Sequence, residues 1–196
     1  MLENLINIDK TIFRFFNSTT ANPLFDLVMP IITNQNIWAI PIFILICFLV
    51  IKGGRKGQIT SVILIIAVSL ADYSSAQVLK PFFGRLRPSH EMLDGIRILM
   101  GKGGKYGFVS SHAANIYSAA VIFGYFYPKN KKIFFTIAAL VAFSRVYVGV
   151  HYPGDIIFGG LLGYGLAWAT LSLWVITVSY THLRAHETEA DLVCRR

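Results

Sequence analysis

The chain has 196 residues, of which 55% are hydrophobic and 14% charged, and its mean hydropathy is +0.57. Soluble domains carry about 25% charged residues, so this composition excludes an ordinary water-soluble domain and points to the bilayer as solvent for a helical unit. A net charge of +8 raises the question of a nucleic-acid partner. The lysines and arginines, however, fall in short clusters between apolar runs, the pattern of membrane topology and anion binding, and no nucleic acid is expected. Cys47 and Cys194 lie far apart and indicate neither a disulfide framework nor a thiolate metal site. Cys47 reads as a buried small hydrophobe.

In chain order, residues 1–20 mix Leu5, Ile6, Ile8, Ile12, Phe13 and Phe16 with Glu3, Asp9, Lys10 and Arg14. Acidic residues interrupt any signal-peptide core, and an amphipathic helix in the membrane interface is expected. Residues 22–33 are apolar but too short to span, with Pro23 and Pro30, so 1–33 reads as an interfacial or re-entrant segment. A first span is expected at about 36–51, with Trp38 at headgroup level, followed by the basic turn 52–56. A second runs 58–79, interrupted by Asp72, Ser74 and Ser75; Asp72 is expected to pair with a cation or hydroxyl of a neighbouring helix. The loop 80–108 is polar and Gly-rich, with Lys80, Arg85, Arg87, Arg97, Lys102 and Lys105, and loops of this length inside compact domains are usually functional. A third span starts at Ser110-Ser111-His112 and ends near Tyr127, a basic turn occupies 129–132, and a fourth covers 133–144 or as far as 150. Pro153 opens a fifth that continues to about 178. Within it, Gly159 and Gly163 form a small-x-x-x-small pair suited to close helix packing.

The expected fold is therefore all-α, a polytopic membrane helix bundle of five to six spans with an N-terminal interfacial helix and a membrane domain over 34–180. Residues 181–196 change character abruptly. They are charged and aperiodic, carry His182, His186, Glu187, Glu189 and Asp191 without convincing ligand spacing, and resemble a translated adapter remnant. A disordered or artefactual tail is expected there.

The turns 52–56 and 129–132 each carry three basic residues and no acid, so both read as cytoplasmic. The alternation of spans then gathers three polar clusters at the opposite face: Lys80 to Pro88, Ser110-Ser111-His112, and Ser144 to Asp155. Lys80, Arg87 and Arg145 would supply the forked and point-charge donors that a tetrahedral phosphate needs. Ser110 and Ser111 open a helix, where hydroxyls and free backbone N–H groups favour an anion. His151, four residues before Asp155, resembles an imidazole held at Nδ1 by a carboxylate, with Nε2 left to attack phosphorus. His112 is the natural general acid for the leaving oxygen. Taken singly, Lys80 or Arg87 reads as a snorkelling helix-end cation; their conjunction with both histidines favours a site. Arg85 and His90 remain candidate substrate contacts. No carboxylate cluster for a metal appears beside these residues, so neither metal nor cofactor is expected.

These segments resemble the signature motifs of the type 2 phosphatidic acid phosphatase superfamily, related to the vanadium haloperoxidases. The first, K-x6-R-P, is met by Lys80, Arg87 and Pro88. The second, P-S-G-H, is met in part by Ser110 and His112, with Val109 and Ser111 in place of proline and glycine. The third, S-R-x5-H-x3-D, is met by Ser144, Arg145, His151 and Asp155. The resemblance covers roughly residues 58–170. It implies metal-independent phosphomonoester or diphosphate hydrolysis through a phosphohistidine, with His151, His112 and Asp155 catalytic and Lys80, Arg87, Ser110, Ser111 and Arg145 binding phosphate. The expected substrate is a lipid phosphate, undecaprenyl diphosphate first, then phosphatidylglycerol phosphate, phosphatidic acid or lipid A phosphates. The expected location is the cytoplasmic membrane, with the site at its outer face. The competing expectation is a non-catalytic phospholipid-binding or transport protein. Nothing in the chain speaks to oligomeric state.

Overall fold

The computed structural model describes residues 2–91 and 94–194, with side chains for 3–91 and 94–179. Its helices are α1 (Leu2–Arg14), α2 (Pro23–Thr33), α3 (Gln35–Lys52), α4 (Gly54–Tyr73), α5 (Lys80–Phe83), α6 (Pro88–Glu91), α7 (Ser111–Phe126), α8 (Lys131–Tyr147) and α9 (Pro153–Cys194). The stretch 181–196, expected to be a disordered or artefactual tail, lies outside the residues whose side chains are described.

Local chemistry sets most boundaries. The Asn22 side chain accepts the Phe25 N–H at 2.9 Å and Pro23 takes the first position of α2, a cap and a pre-set φ acting together. Ser110 caps α7 through the Ala113 N–H. Pro153 opens α9 with Asp155 in its first turn, where a carboxylate faces the positive end of the helix dipole. Between α4 and α5 the helix does not stop but widens into a π-turn, Ser74–Leu79, so that 54–83 is one 30-residue helical rod.

Among the described residues, three helices have the length and apolar composition to cross a membrane: 35–52, 54–83 and 153–179. The second expected span is thus longer than the sequence suggested, and the fifth ends where it was expected to. At 16 and 17 residues, α7 and α8 reach only about 24–26 Å at 1.5 Å per residue. Of the two, α7 is the inner helix, packed against α4, α8 and α9, whereas α8 leaves Ile133, Ile137 and Leu140 exposed. Exposed Ile, Leu and Phe cover α3, with Ile40, Phe43, Ile44 and Phe48 all turned outward, as a lipid-facing helix requires. Cys47 on this helix is only partly buried, because the lipid-facing helix has little core to offer it.

The main apolar core joins Ile63, Leu64 and Ala67 of α4, Val121, Ile122 and Phe126 of α7, and Ala167 and Leu171 of α9. It fills the end of the bundle away from the start of α9. Toward that start, α9 approaches the α7 backbone directly. A Cβ on Gly159 would lie 2.5 Å from the Ser110 carbonyl oxygen, and one on Gly163 would lie 1.9 Å from that of Ala114. The expected small-residue pair is therefore a contact surface, and it sets the start of α7 beside the start of α9.

Candidate active site

Residues 148–152 turn the chain from α8 into α9. The Arg145 carbonyl accepts the N–H groups of both Val150 and His151 at 3.2 Å, so the imidazole is fastened to the end of α8. Gly149 has φ of +88°, and a Cβ there would sit 2.2 Å from the Arg97 carbonyl oxygen; conformation and space both require glycine. His151 Nδ1 lies 3.2 Å from Asp155 Oδ2, which also accepts the Tyr152 N–H at 3.0 Å. His151 and Asp155 are both fully buried. Burial first, then Arg87, Arg145 and Lys80, hold the His151 imidazole well below the usual histidine range, against a hydrogen bond with the Gly107 backbone that raises it. A neutral imidazole fixed at Nδ1 has its lone pair at Nε2.

The cationic side is delivered by the π-turn. Ser75 Oγ donates to Ser111 Oγ at 2.9 Å, and Lys80 Nζ donates to the same Ser111 oxygen. Ser75 and Lys80 are five apart. In a regular α-helix they would point about 140° away from each other, at 100° per residue. The Lys80 N–H instead bonds the Ser75 carbonyl, the i→i+5 bond of a π-turn, and both side chains reach one hydroxyl. Ser111, which stands where the second motif has glycine, thus holds the lysine.

Arg87 comes from the loop, clamped by its own N–H to the Lys105 carbonyl at 3.2 Å and by Nε to the Tyr106 carbonyl at 3.0 Å. Gly107 beside it leaves no room for a side chain, since a Cβ would be 2.8 Å from Asp155 Oδ2. Arg145 is buried and donates from Nη1 to Thr33 Oγ1 at 2.6 Å, while its buried Nε has no acceptor among the described residues. An oxyanion would satisfy that donor. His112, in the first turn of α7, lies within electrostatic reach of Arg145, His151, Lys80 and Arg87. Ser110 is fully buried, and its N–H is taken by the Asp155 carbonyl at 2.9 Å. The eight residues singled out in the sequence therefore meet at one end of the bundle. The parity of the spans brings these segments together as expected.

Several partners escaped the sequence reading. Arg85, expected to be open to substrate, is engaged with two carboxylates: Asp155 at 2.9 Å and Asp9 at 2.6 Å. Asn17 is fully buried, joining the Arg97 and Tyr147 carbonyls through Nδ2, both at 2.8 Å, and accepting the Arg97 N–H. Asp26 binds Tyr147 Oη at 2.6 Å and pairs with Arg97. Asp72 accepts from the Asn115 side-chain amide at 2.9 Å, a neighbour neither cationic nor hydroxylic. The signal for Asp9 and Asn17 was faint: short polar residues at positions a lipid-facing helix would fill with apolar ones.

Clustered cations beside a neutral imidazole, at one end of a bundle of apolar helices, supply the electrostatics that phosphoryl transfer demands, and fold and site together belong to the membrane phosphatases. The family model described as the PAP2 superfamily matches residues 58–178. The Lipid A 4'-phosphatase of Porphyromonas gingivalis is 34% identical over 169 residues, 83% of this chain and 71% of that protein. An Undecaprenyl-diphosphatase of Sulfolobus acidocaldarius is 36% identical over 141 residues, 71% of this chain and 64% of its own length. Crystalline Aquifex aeolicus LpxE shares the fold, with a TM-score of 0.70 at 24% identity over 83% of this chain and 93% of that one. The chain belongs to the PAP2 superfamily, as its motifs implied, and is a multi-pass membrane lipid phosphatase.

Proposed function

We propose that this phosphatase removes a phosphate from lipid A, in preference to the undecaprenyl diphosphate expected from sequence, and that it does so through a phosphohistidine on His151. The observation that carries the chemistry is the convergence of half-buried His112, Lys80 and Arg87 with buried His151 and Arg145 on one spot. In the first step His151 Nε2 forms the P–N bond as the P–O bond to the sugar oxygen breaks, and His112 gives that oxygen its proton. In the second, water attacks phosphorus and the P–N bond breaks. His112 takes the water's proton, and inorganic phosphate leaves with His151 neutral again. Lys80, Arg87, Arg145 and the start of α7 at Ser110 and Ser111 hold the three phosphoryl oxygens, whose charge grows during transfer. Asp155 keeps the imidazole in the attacking tautomer.

Support for the lipid comes from two directions. The relative aligned over more of both chains is a lipid A phosphatase. Beside Lys80 and Ser110, an aromatic ridge of Phe83, Phe108 and Phe158, with centroids 4.8 and 5.4 Å apart, continues into Phe82, which is 79% exposed. Such a surface suits an acylated substrate that keeps its tails in lipid while its phosphate enters the polar site. The basic turns at the other end of the bundle favour a site at the outer face of the cytoplasmic membrane.

A phosphate-release panel in chelator tests the reading. Purified protein in mixed micelles is expected to turn over lipid A with the highest kcat/KM, and to be inhibited by vanadate, a trigonal-bipyramidal phosphate mimic. A kcat/KM about tenfold higher on undecaprenyl diphosphate would replace lipid A as the substrate. Full activity in His151→Ala would remove the phosphohistidine.

A further inference from the structure

Helix α1, outside the region matched by the family model, is tied to the floor of the site by two neighbouring residues. Asp9 Oδ1 accepts the Gly154 N–H at 2.7 Å, and its Oδ2 takes Arg85 Nη2 at 2.6 Å. Lys10 pairs with Glu91 at 2.6 Å, and Glu91 in turn accepts from Tyr152 Oη at 2.9 Å. Arg85 lies over the Tyr152 ring, 4.4 Å from its centroid, and its second nitrogen, Nη1, meets Asp155 Oδ1 at 2.9 Å. The chain Asp9–Arg85–Asp155–His151 thus runs from the N-terminal helix to the imidazole.

We propose that Asp9 is a positioning residue for the phosphatase reaction, dividing the Arg85 guanidinium between two carboxylates so that Asp155 keeps its hold on His151. The inference rests on the reading of His151 as nucleophile. A guanidinium facing one carboxylate pairs with both of its oxygens, the fork-to-fork arrangement that arginine favours. Asp155 has Oδ2 committed to His151 and to the Tyr152 N–H, so a second arginine contact would compete there. Asp9 prevents this by occupying the other prong. It does so from α1, with Oδ1 on the Gly154 N–H in the first turn of α9, where its charge is also stabilised by the helix dipole. Removing the charge frees Arg85 to close on Asp155, the imidazole loses its fixed orientation, and the attack geometry loosens. Displacements of this kind, about 1 Å at a distance from the chemistry, lower turnover by up to about a hundredfold.

The test is Asp9→Asn, which keeps an acceptor for the Gly154 N–H and removes only the charge. The expected result is a kcat about tenfold lower with KM within about twofold of wild type, the pattern of an interaction made in the transition state. Asp9→Glu should restore most of the loss. In an Asp155→Asn background the same Asp9→Asn change should have almost no further effect, because the link it acts through is gone. A wild-type kcat in Asp9→Asn, a lower melting temperature with unchanged turnover per folded molecule, or full additivity with Asp155→Asn would each overturn the proposal. Should Asp9→Asn not fold, Arg85→Lys reads the same link from its other end with the same expected split between kcat and KM. If His151→Ala is inactive while Asp9→Asn is normal, only this inference fails. If His151→Ala turns over, the nucleophile assignment beneath it fails.

Discussion

The two ends of the bundle are made from the same helices by different means. At one end α4, α7 and α9 meet through Ile63, Leu64, Val121, Ile122 and Leu171, side chains that interchange with modest loss if volume is kept. At the other, the continuation of the 54–83 rod beyond α4 meets α7 and α9 through Ser75, Ser111, Lys80, Ser110 and Asp155, where each group has a named partner and an unpaired one is heavily penalised. The first end determines how firmly the helices associate. The second determines in what order and rotation they arrive, and it borrows α1, α2 and the 80–108 loop to do so.

Substitutions at the two ends should therefore fail differently. His151→Ala should lower phosphate release by about 10⁴-fold or more while leaving thermal unfolding in detergent nearly unchanged; residual activity above that level would mean that another group attacks phosphorus. Ile122→Ala, in the apolar end, should destabilise by about 3–4 kcal/mol, with kcat per folded molecule preserved; a selective loss of kcat would show that the two ends are not separable. Arg145→Lys should reduce kcat/KM by about a hundredfold, because an ammonium cannot both bond Thr33 and offer a second prong to phosphate. Wild-type rates in that variant would remove Arg145 from the cradle. The smallest effect concerns pH. Folded His151 stays neutral, whereas in the unfolded chain it takes a proton below about 6.5. The unfolded state then binds the additional proton, so stability falls as pH drops through that value. Melting temperatures measured from pH 7 to 5 should decline less in His151→Gln than in wild type, and equal slopes would show that the imidazole is solvated.

Much of this was legible because membrane helices announce themselves and because Lys80, Arg87, His112, Arg145, His151 and Asp155 are ionisable residues where apolar ones are the rule. Alternation of spans was enough to put them at one face. The support around them was not legible. Thr33 meets Arg145 across 112 positions and Asp9 meets Gly154 across 145, and no local periodicity encodes such pairs. Arg85 looked open for a related reason, since both of its partners come from other helices. The hold of Ser111 on Lys80 was not legible either, because a sequence shows serine in place of the motif's glycine and not the lysine that it holds.

The widened turn at Ser74–Leu79 carries one residue more than a regular helix of equal rise would need. Removing one residue there would let the rod close into ordinary α geometry with Lys80 still in phase with Ser111. Removing one from the regular stretch 63–71 would rotate everything beyond it by about 100° and carry the ammonium out among the acyl chains. The extra residue is thus a register setting, and single-residue deletions on either side of Tyr73 should be unequal in consequence.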